Sequence, residues 1–136
     1  MKSIETTYAP KALGPYSQGI VVDNLCFVSM QLGIDPKTGK IISDDVTEQA
    51  ERVIKNVEAI LVEGGFSLRD VVRTTLYITN LNDFQAVNEV YAKFFSLKPA
   101  RSLVIQKVMP AGAKVALDAI AYKQEEETEN LEYVAR

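Results

Sequence analysis

Between Asp45 and Gly65 the apolar residues Val46, Ala50, Val53, Ile54, Val57, Ile60 and Leu61 recur at three- and four-residue intervals, while Glu51, Arg52, Lys55 and Glu58 fall between them. That spacing predicts a helix with one face turned to a core. Asp45-Val-Thr-Glu48 has the interval of a capping box, and Gly64-Gly65 predicts its end, because glycine takes the left-handed cap without a Cβ penalty. A second helix is expected from about Asn82, with Gln85 at capping-box distance. Its apolar face is Phe84, Val87, Tyr91, Phe94 and Phe95, and Pro99 lies just past its end.

Elsewhere the pattern is that of strands. Gly19 to Asp23 and Leu25 to Gly33 predict two strands joined at Asp23-Asn24, followed by a turn at Asp35-Pro-Lys-Thr-Gly39. Val71 to Thr79 is rich in β-branched residues, and Ser102 to Val108 and Lys114 to Tyr122 follow as the last two strands. The loop from Ala9 to Gln18, with Pro10, Gly14 and Pro15, is fixed and irregular. The predicted order, counting a first strand in the opening segment whose start the pattern does not fix, is β-β-β-α-β-α-β-β, that of an α+β domain with two helices on one face of a sheet. Val115, Leu117, Ala119 and Ala121 line one side of the last strand, yet Ala116 and Ile120 make the other side partly apolar. Two helices cover one face only, so the bare face predicts self-association.

The chain of 136 residues fits a single domain over 1–122, followed by an acidic tail, 123–136, that carries five glutamates and reads as a solubilising appendage. There is no histidine and one cysteine, Cys26, in an apolar run that predicts a buried thiol. These counts exclude Ser-His-Asp and Cys-His catalysis and the usual zinc sites, so neither a metal nor another cofactor is expected. A lone reduced thiol, no signal-like N-terminal segment and no membrane-length apolar run place the chain in the cytoplasm, away from membranes. A net charge of −3 without a basic cluster gives no support to nucleic-acid binding.

Three positions carry candidate chemistry. Arg101, in Pro99-Ala-Arg-Ser102, stands at the entry to an apolar strand, where a guanidinium can grip a carboxylate with two parallel hydrogen bonds. The alternative is a surface arginine paired with an acid. Tyr16 sits on the stiff Gly14-Pro15 loop, where its hydroxyl either meets a ligand or caps the core edge. Asn88, next to Val87 on the second helix, either faces a cleft or is solvated. Asp118 and Glu89 have no partner pattern that marks them as catalytic, and Gly64-Gly65 lacks phosphate-loop spacing.

The joint order of several motifs says more than any one of them. Ala9-Pro10, Gly14-Pro-Tyr-Ser-Gln-Gly19, Ser29 and Gln31, Asp70-Val-Val-Arg-Thr-Thr75, Asn82-Asp-Phe84, Val87-Asn-Glu-Val-Tyr91, Pro99-Ala-Arg-Ser102 and Ala119-Ile-Ala121 closely resemble the Rid family, the YjgF-like reactive-intermediate deaminases once labelled endoribonucleases or translation inhibitors. The match runs from about residue 3 to 122. It implies a chorismate-mutase-like fold with a mixed sheet. It also implies a homotrimer with the sheets at its centre and clefts between neighbouring subunits. The implied reaction is hydrolysis of enamine or imine acids, such as 2-iminobutanoate and 2-iminopropanoate, to 2-oxo acids and ammonia. By the same resemblance Arg101 binds the carboxylate of a small ligand, the backbone N–H of Leu103 assists, and Tyr16, Ser29, Met30 and Asn88 line the cleft.

Two departures bear on catalysis. Active members resemble Ser-Gly-Gln where this chain has Ser29-Met30-Gln31, and they resemble Val-Glu-(Ile/Val)-Glu where it has Val115-Ala116-Leu117-Asp118. The acid that orients water in the family therefore falls on Ala116. Asp118 shares that strand face but lies about 6.6 Å further on, beyond direct hydrogen-bond reach of the same water. Two readings follow: a deaminase weakened at its base, or a non-catalytic cleft that senses a small carboxylate metabolite. A ribonuclease reading is opposed by the acidic balance and the missing histidine.

Overall fold

The computed structural model describes residues 1–124; the acidic run beyond them, where a solubilising tail is expected, lies outside the described residues. The strands are β1 (Lys2–Ile4), β2 (Gly19–Val22), β3 (Leu25–Leu32), β4 (Ile34–Asp35), β5 (Lys40–Ile41), β6 (Val71–Ile78), β7 (Ala100–Ile105) and β8 (Val115–Tyr122). The helices are α1 (Val46–Glu63) and α2 (Phe84–Phe94). Six strands form one sheet in the order β1-β2-β3-β8-β6-β7, antiparallel except for the parallel β6–β7 pair at one edge. The expected order holds; what it omits is the small β4–β5 hairpin built around the Asp35–Gly39 turn.

Both helices lie on one sheet face. Ala50, Val53, Ile54, Val57, Ile60 and Leu61 of α1 and Val87, Val90 and Tyr91 of α2 share a core with Cys26, Val28, Leu76, Ile78, Val115, Leu117, Ala119 and Ala121. Strand alternation sends the intervening residues to the opposite face. There Phe27, Ile120 and Tyr122 lie uncovered by any element of the described chain, with Phe27 and Tyr122 among the exposed large hydrophobic residues. A smaller apolar cluster of Met109, Ala113 and Ala116 sits at one end of this face, with Met30, Leu32, Ile41 and Tyr77 packed on it.

The helix ends show how local chemistry sets boundaries. At the start of α1, Asp45 Oδ2 accepts from the Glu48 N–H, but the Glu48 carboxylate takes the hydroxyl of Ser43 rather than returning to Asp45. Ser43 Oγ in turn accepts from the Asp45 N–H at 3.2 Å, so the predicted capping box closes through a third residue. At the other end Gly65 has φ +87°, with Phe66 N–H donating to Leu61 O and Gly65 N–H to Val62 O, a Schellman motif. Gly64 serves a different need: a Cβ there would meet Ile4 Cδ1 at 2.7 Å. The second helix corrects its expected start. Asn80 Oδ1 accepts from the Asn82 N–H at 2.9 Å, a tight turn over Leu81–Asp83 follows, and α2 begins at Phe84. The earlier asparagine captures the chain first, so Asn82 is a donor to the cap and not the cap.

Candidate functional site

Arg101 lies on edge strand β7 directly opposite Thr74 of β6, so its side chain rises on the helix side of the sheet, beneath α2. Its Nη1 donates to Asn88 Oδ1 at 2.9 Å. The guanidinium carbon stands 4.7 Å from the centroid of the Tyr91 ring and 5.7 Å from that of Phe84. Among the described residues Asn88 is its sole hydrogen-bond partner, and the one ion pair is Lys114–Asp44, elsewhere in the fold. The alternative of an arginine neutralised by a neighbouring acid is therefore not what forms. A half-buried cation is held in one orientation with Nε and Nη2 unclaimed by protein, which suits a planar two-oxygen anion.

Asn88 thus orients the Arg101 side chain. Leu103 stands two residues along the same strand face, partly exposed, and β7 leaves alternate backbone groups without a ladder partner because it is an edge.

The other candidates lie elsewhere in the chain. Tyr16 sits in the loop before β2, more than half exposed, where its hydroxyl accepts weakly from the Leu13 N–H at 3.4 Å. An open cleft of about 740 Å³ lies against this loop, lined by Glu5, Thr6, Lys11, Tyr16, Ser17 and Pro36 among others. Ser29 and Met30 occupy a bulge in β3, where the pairing with β8 shifts between Val28 and Gln31. Ser29 Oγ donates to Ser17 O at 2.6 Å and its N–H to Gln18 O at 2.9 Å, which ties the tyrosine loop to the sheet. Strand β2 is four steps from β7, so Tyr16 and Arg101 are separated by roughly 19 Å of sheet within one chain. The structure brings Arg101, Asn88 and Leu103 together at one edge, and Tyr16, Ser29 and Met30 near the other.

The two acid positions also resolve. Ala116 is fully buried in the small cluster, so no base occupies this point and no water reaches it in the described chain. Asp118 has a partner that the linear sequence hid: Tyr77 donates its hydroxyl to Asp118 Oδ2 at 2.7 Å across the β6–β8 ladder. That bond, partial burial and the negative charge of Asp118 raise the Tyr77 pKa above its usual value. Sequence reasoning missed two further groups. Gln18, almost wholly buried, pins the N-terminal loop by accepting from Thr6 N–H at 2.7 Å and donating to Thr6 O at 3.0 Å and Pro10 O at 2.8 Å. Thr74 and Tyr91 share a buried hydroxyl–hydroxyl bond of 2.7 Å beneath Arg101. Neither has a periodic signature, since a polar residue in a loop and a threonine in a strand are ordinary.

A six-stranded mixed sheet with both helices on one face and an arginine at its parallel edge defines an α+β protein of the YjgF and L-PSP fold. The chain belongs to the endoribonuclease L-PSP family, the Rid or YjgF-like proteins, whose family model matches residues 6–123. It is 50% identical over 122 residues to a RutC family protein of Pyrococcus abyssi, covering 89% of this chain and 96% of that one. It is 39% identical over 119 residues to the human 2-iminobutanoate/2-iminopropanoate deaminase, covering 87% of each chain. Among solved structures, Escherichia coli TdcF with bound serine superposes with a TM-score of 0.87 at 41% identity, covering 91% of this chain and all of that one.

Proposed function

We propose that this chain hydrolyses reactive 2-imino and enamine acids to 2-oxo acids and ammonia, with Arg101 holding the substrate carboxylate. The observation that carries the reading is the Arg101 guanidinium, oriented by Asn88 and two aromatic rings yet paired with no acid among the described residues. In this reaction water adds to the C=N carbon, the carbinolamine expels ammonia, and the ketone remains. An iminium acid hydrolyses without help, so clamping its carboxylate beside water accelerates the step through positioning. Kinship to a named imine deaminase supports the same chemistry.

The cleft in this proposal lies between subunits of a homotrimer, where the Arg101 edge of one chain meets the Tyr16 loop of the next. Three observations support it: the roughly 19 Å of sheet between Tyr16 and Arg101 within one chain, the uncovered Phe27, Ile120 and Tyr122, and the open cleft beside Tyr16. Burial of the single Cys26 thiol supports a reducing, cytoplasmic location, and the described chain has no helix long and apolar enough to cross a membrane. No nucleic acid enters the proposal.

The burial of Ala116 favours a second reading, in which the clamp binds a small carboxylate metabolite without turnover. One experiment addresses both: hydrolysis of 2-iminobutanoate and 2-iminopropanoate generated by an amino-acid oxidase, beside calorimetric titration with 2-oxobutyrate. Acceleration by the wild type that is lost in Arg101→Ala upholds the hydrolase. Binding without acceleration upholds the sensor, and neither binding nor acceleration at millimolar ligand removes both. Sedimentation at micromolar concentration checks the trimer, which a stable monomer would refute.

A further inference from the structure

We propose that Tyr91 is a positioning residue for Arg101, its ring forming the floor that aims the guanidinium and its hydroxyl locked by Thr74. The proposal rests on the reading that Arg101 binds a carboxylate, and it names what sets the clamp's affinity.

Thr74 and Arg101 are cross-strand neighbours in the β6–β7 register, so Thr74 lies directly beside the backbone of Arg101. From α2 above, Tyr91 reaches down to share its hydroxyl with Thr74 Oγ1 at 2.7 Å, in a region where Thr74 is 0% and Tyr91 7% exposed. This hydroxyl pair lies beside the aliphatic and aromatic side chains of Leu76, Val87, Val90 and Phe95 in the core. A phenylalanine and a valine would fill the same volume with no polar groups to satisfy. The pairing does something those residues would not: it ties the tip of the phenol to β6. The Phe95 ring packs against it at a tilt, with centroids 4.5 Å apart. A ring tied at its hydroxyl and packed on Phe95 lies 4.7 Å from the Arg101 guanidinium carbon.

The negative ring face attracts the cation, and the plane of the ring limits how the guanidinium can tilt. Asn88 then takes one Nη1 hydrogen. Floor and side are set, and the Nε and Nη2 donors have no protein acceptor among the described residues. An arginine on a bare strand edge would lose several rotamers on binding a ligand; this one has already lost them.

The test titrates 2-oxobutyrate into the full chain and follows thermal stability in parallel. Arg101→Ala should abolish binding. Tyr91→Leu should weaken it about 3- to 30-fold, the range of a partly desolvated cation–π contact. Because Tyr91→Leu also removes core volume, a second series keeps the shape constant. In a Thr74→Val background, position 91 is Tyr91→Phe, then the same phenylalanine carrying one and three ring fluorines, which drain the ring face of negative potential. The plain Tyr91→Phe, Thr74→Val chain keeps the ring but loses its lock, so it should bind about 2- to 10-fold more weakly than wild type, and it is the baseline for the fluorinated series. Successive fluorines should raise the Kd stepwise while the melting temperature stays level, a trend that a purely structural ring would not give. A flat series with Arg101→Ala still inactive overturns the positioning role alone. Unchanged binding by Arg101→Ala overturns the clamp itself, and this inference with it.

Discussion

Replacing Ala116 by glutamate puts a carboxylate where the family resemblance leads one to expect an acid, but the surroundings here are closed and apolar. Ala116 is 0% exposed and shares its cluster with Met109 and Ala113, on which Met30, Leu32, Ile41 and Tyr77 pack. Even the neutral acid is too large for the space left by a methyl group, and such overpacking costs about 1–3 kcal/mol. Ionisation adds to this. A fully buried carboxyl shifts up by as much as about 3–5 units, so near pH 7 the folded chain keeps its proton while the unfolded chain, with a pKa of about 4.3, has lost it. The gap of about 2.7 units is worth roughly 3.7 kcal/mol at pH 7. The sign follows from linkage: between the two pKa values the native state binds more protons, so the variant loses stability as pH rises above about 4.3 and levels off past the folded pKa.

Urea or thermal unfolding of Ala116→Glu at pH 4.5 and 7.5 reads the two parts separately. At pH 4.5 the loss should be mostly the packing share; at pH 7.5 it should reach about 5–7 kcal/mol, a large part of a small domain's total. Adding Met30→Gly removes a side chain that packs on this cluster, lets water reach the acid, and should recover more than half of the pH-dependent loss. Hydrolysis of 2-iminobutanoate should follow the same order, with no gain from Ala116→Glu alone and a gain only in the double variant. A single Ala116→Glu variant that melts within about 2 °C of wild type at both pH values would show that the site is neither dry nor closed. The coupling between Met30 and Ala116 would then fall.

The other predictions test the frame around the site. Burial pushes the Cys26 thiol up to about 11 from 9.0, so stability is full below pH 9 and falls by on the order of 2 kcal/mol as pH rises toward 11; Cys26→Ala should flatten that limb of a pH–stability profile. Iodoacetamide at pH 8 should label Cys26 only when the chain is unfolded. Gly65→Ala places a Cβ at φ +87° with no neighbour within 4 Å, so its cost is backbone strain alone, about 1–2 kcal/mol by denaturation. Gln18→Leu keeps the volume but strips the partners of Thr6 and Pro10, which should cost about 2–4 kcal/mol. It should also expose the loop to tryptic cleavage after Lys11, a product that unchanged limited proteolysis would exclude.

Much of the fold was legible because its elements are locally consistent. Periodicity in α1, β-branched runs in β6 and the Gly64-Gly65 stop all state their own structure. The errors fall where a third residue intervenes, as Ser43 does in the first cap, or where an equivalent residue comes earlier in the chain, as Asn80 does before Asn82. The site was legible by residue and not by arrangement. Arg101 and Asn88 were both singled out, but that one donates to the other depends on β7 running beneath α2. Tyr77 and Asp118 are 41 positions apart in sequence and bonded only through a ladder register that no short window contains. Tyr91 read as one more apolar-face residue, because helical spacing reports which way a side chain points and not what its hydroxyl finds there.

The placement of these groups separates binding from hydrolysis. Arg101, its floor and its oriented side all belong to one chain and to one edge of the sheet, so the clamp's geometry is set when that chain folds. Histidine supplies no base there, since the chain has none; Asp118 is on the opposite face and already accepts from Tyr77, and position 116 is a buried methyl group. Any rate enhancement must then come from holding the carboxylate and the imine carbon in register with water supplied by the surrounding cleft. A variant that weakens the floor without altering the cleft should raise KM and leave kcat alone, since it removes binding shared equally by ground and transition states. One that disturbs the Tyr16 loop should instead lower kcat, because that loop borders an open cleft of about 740 Å³.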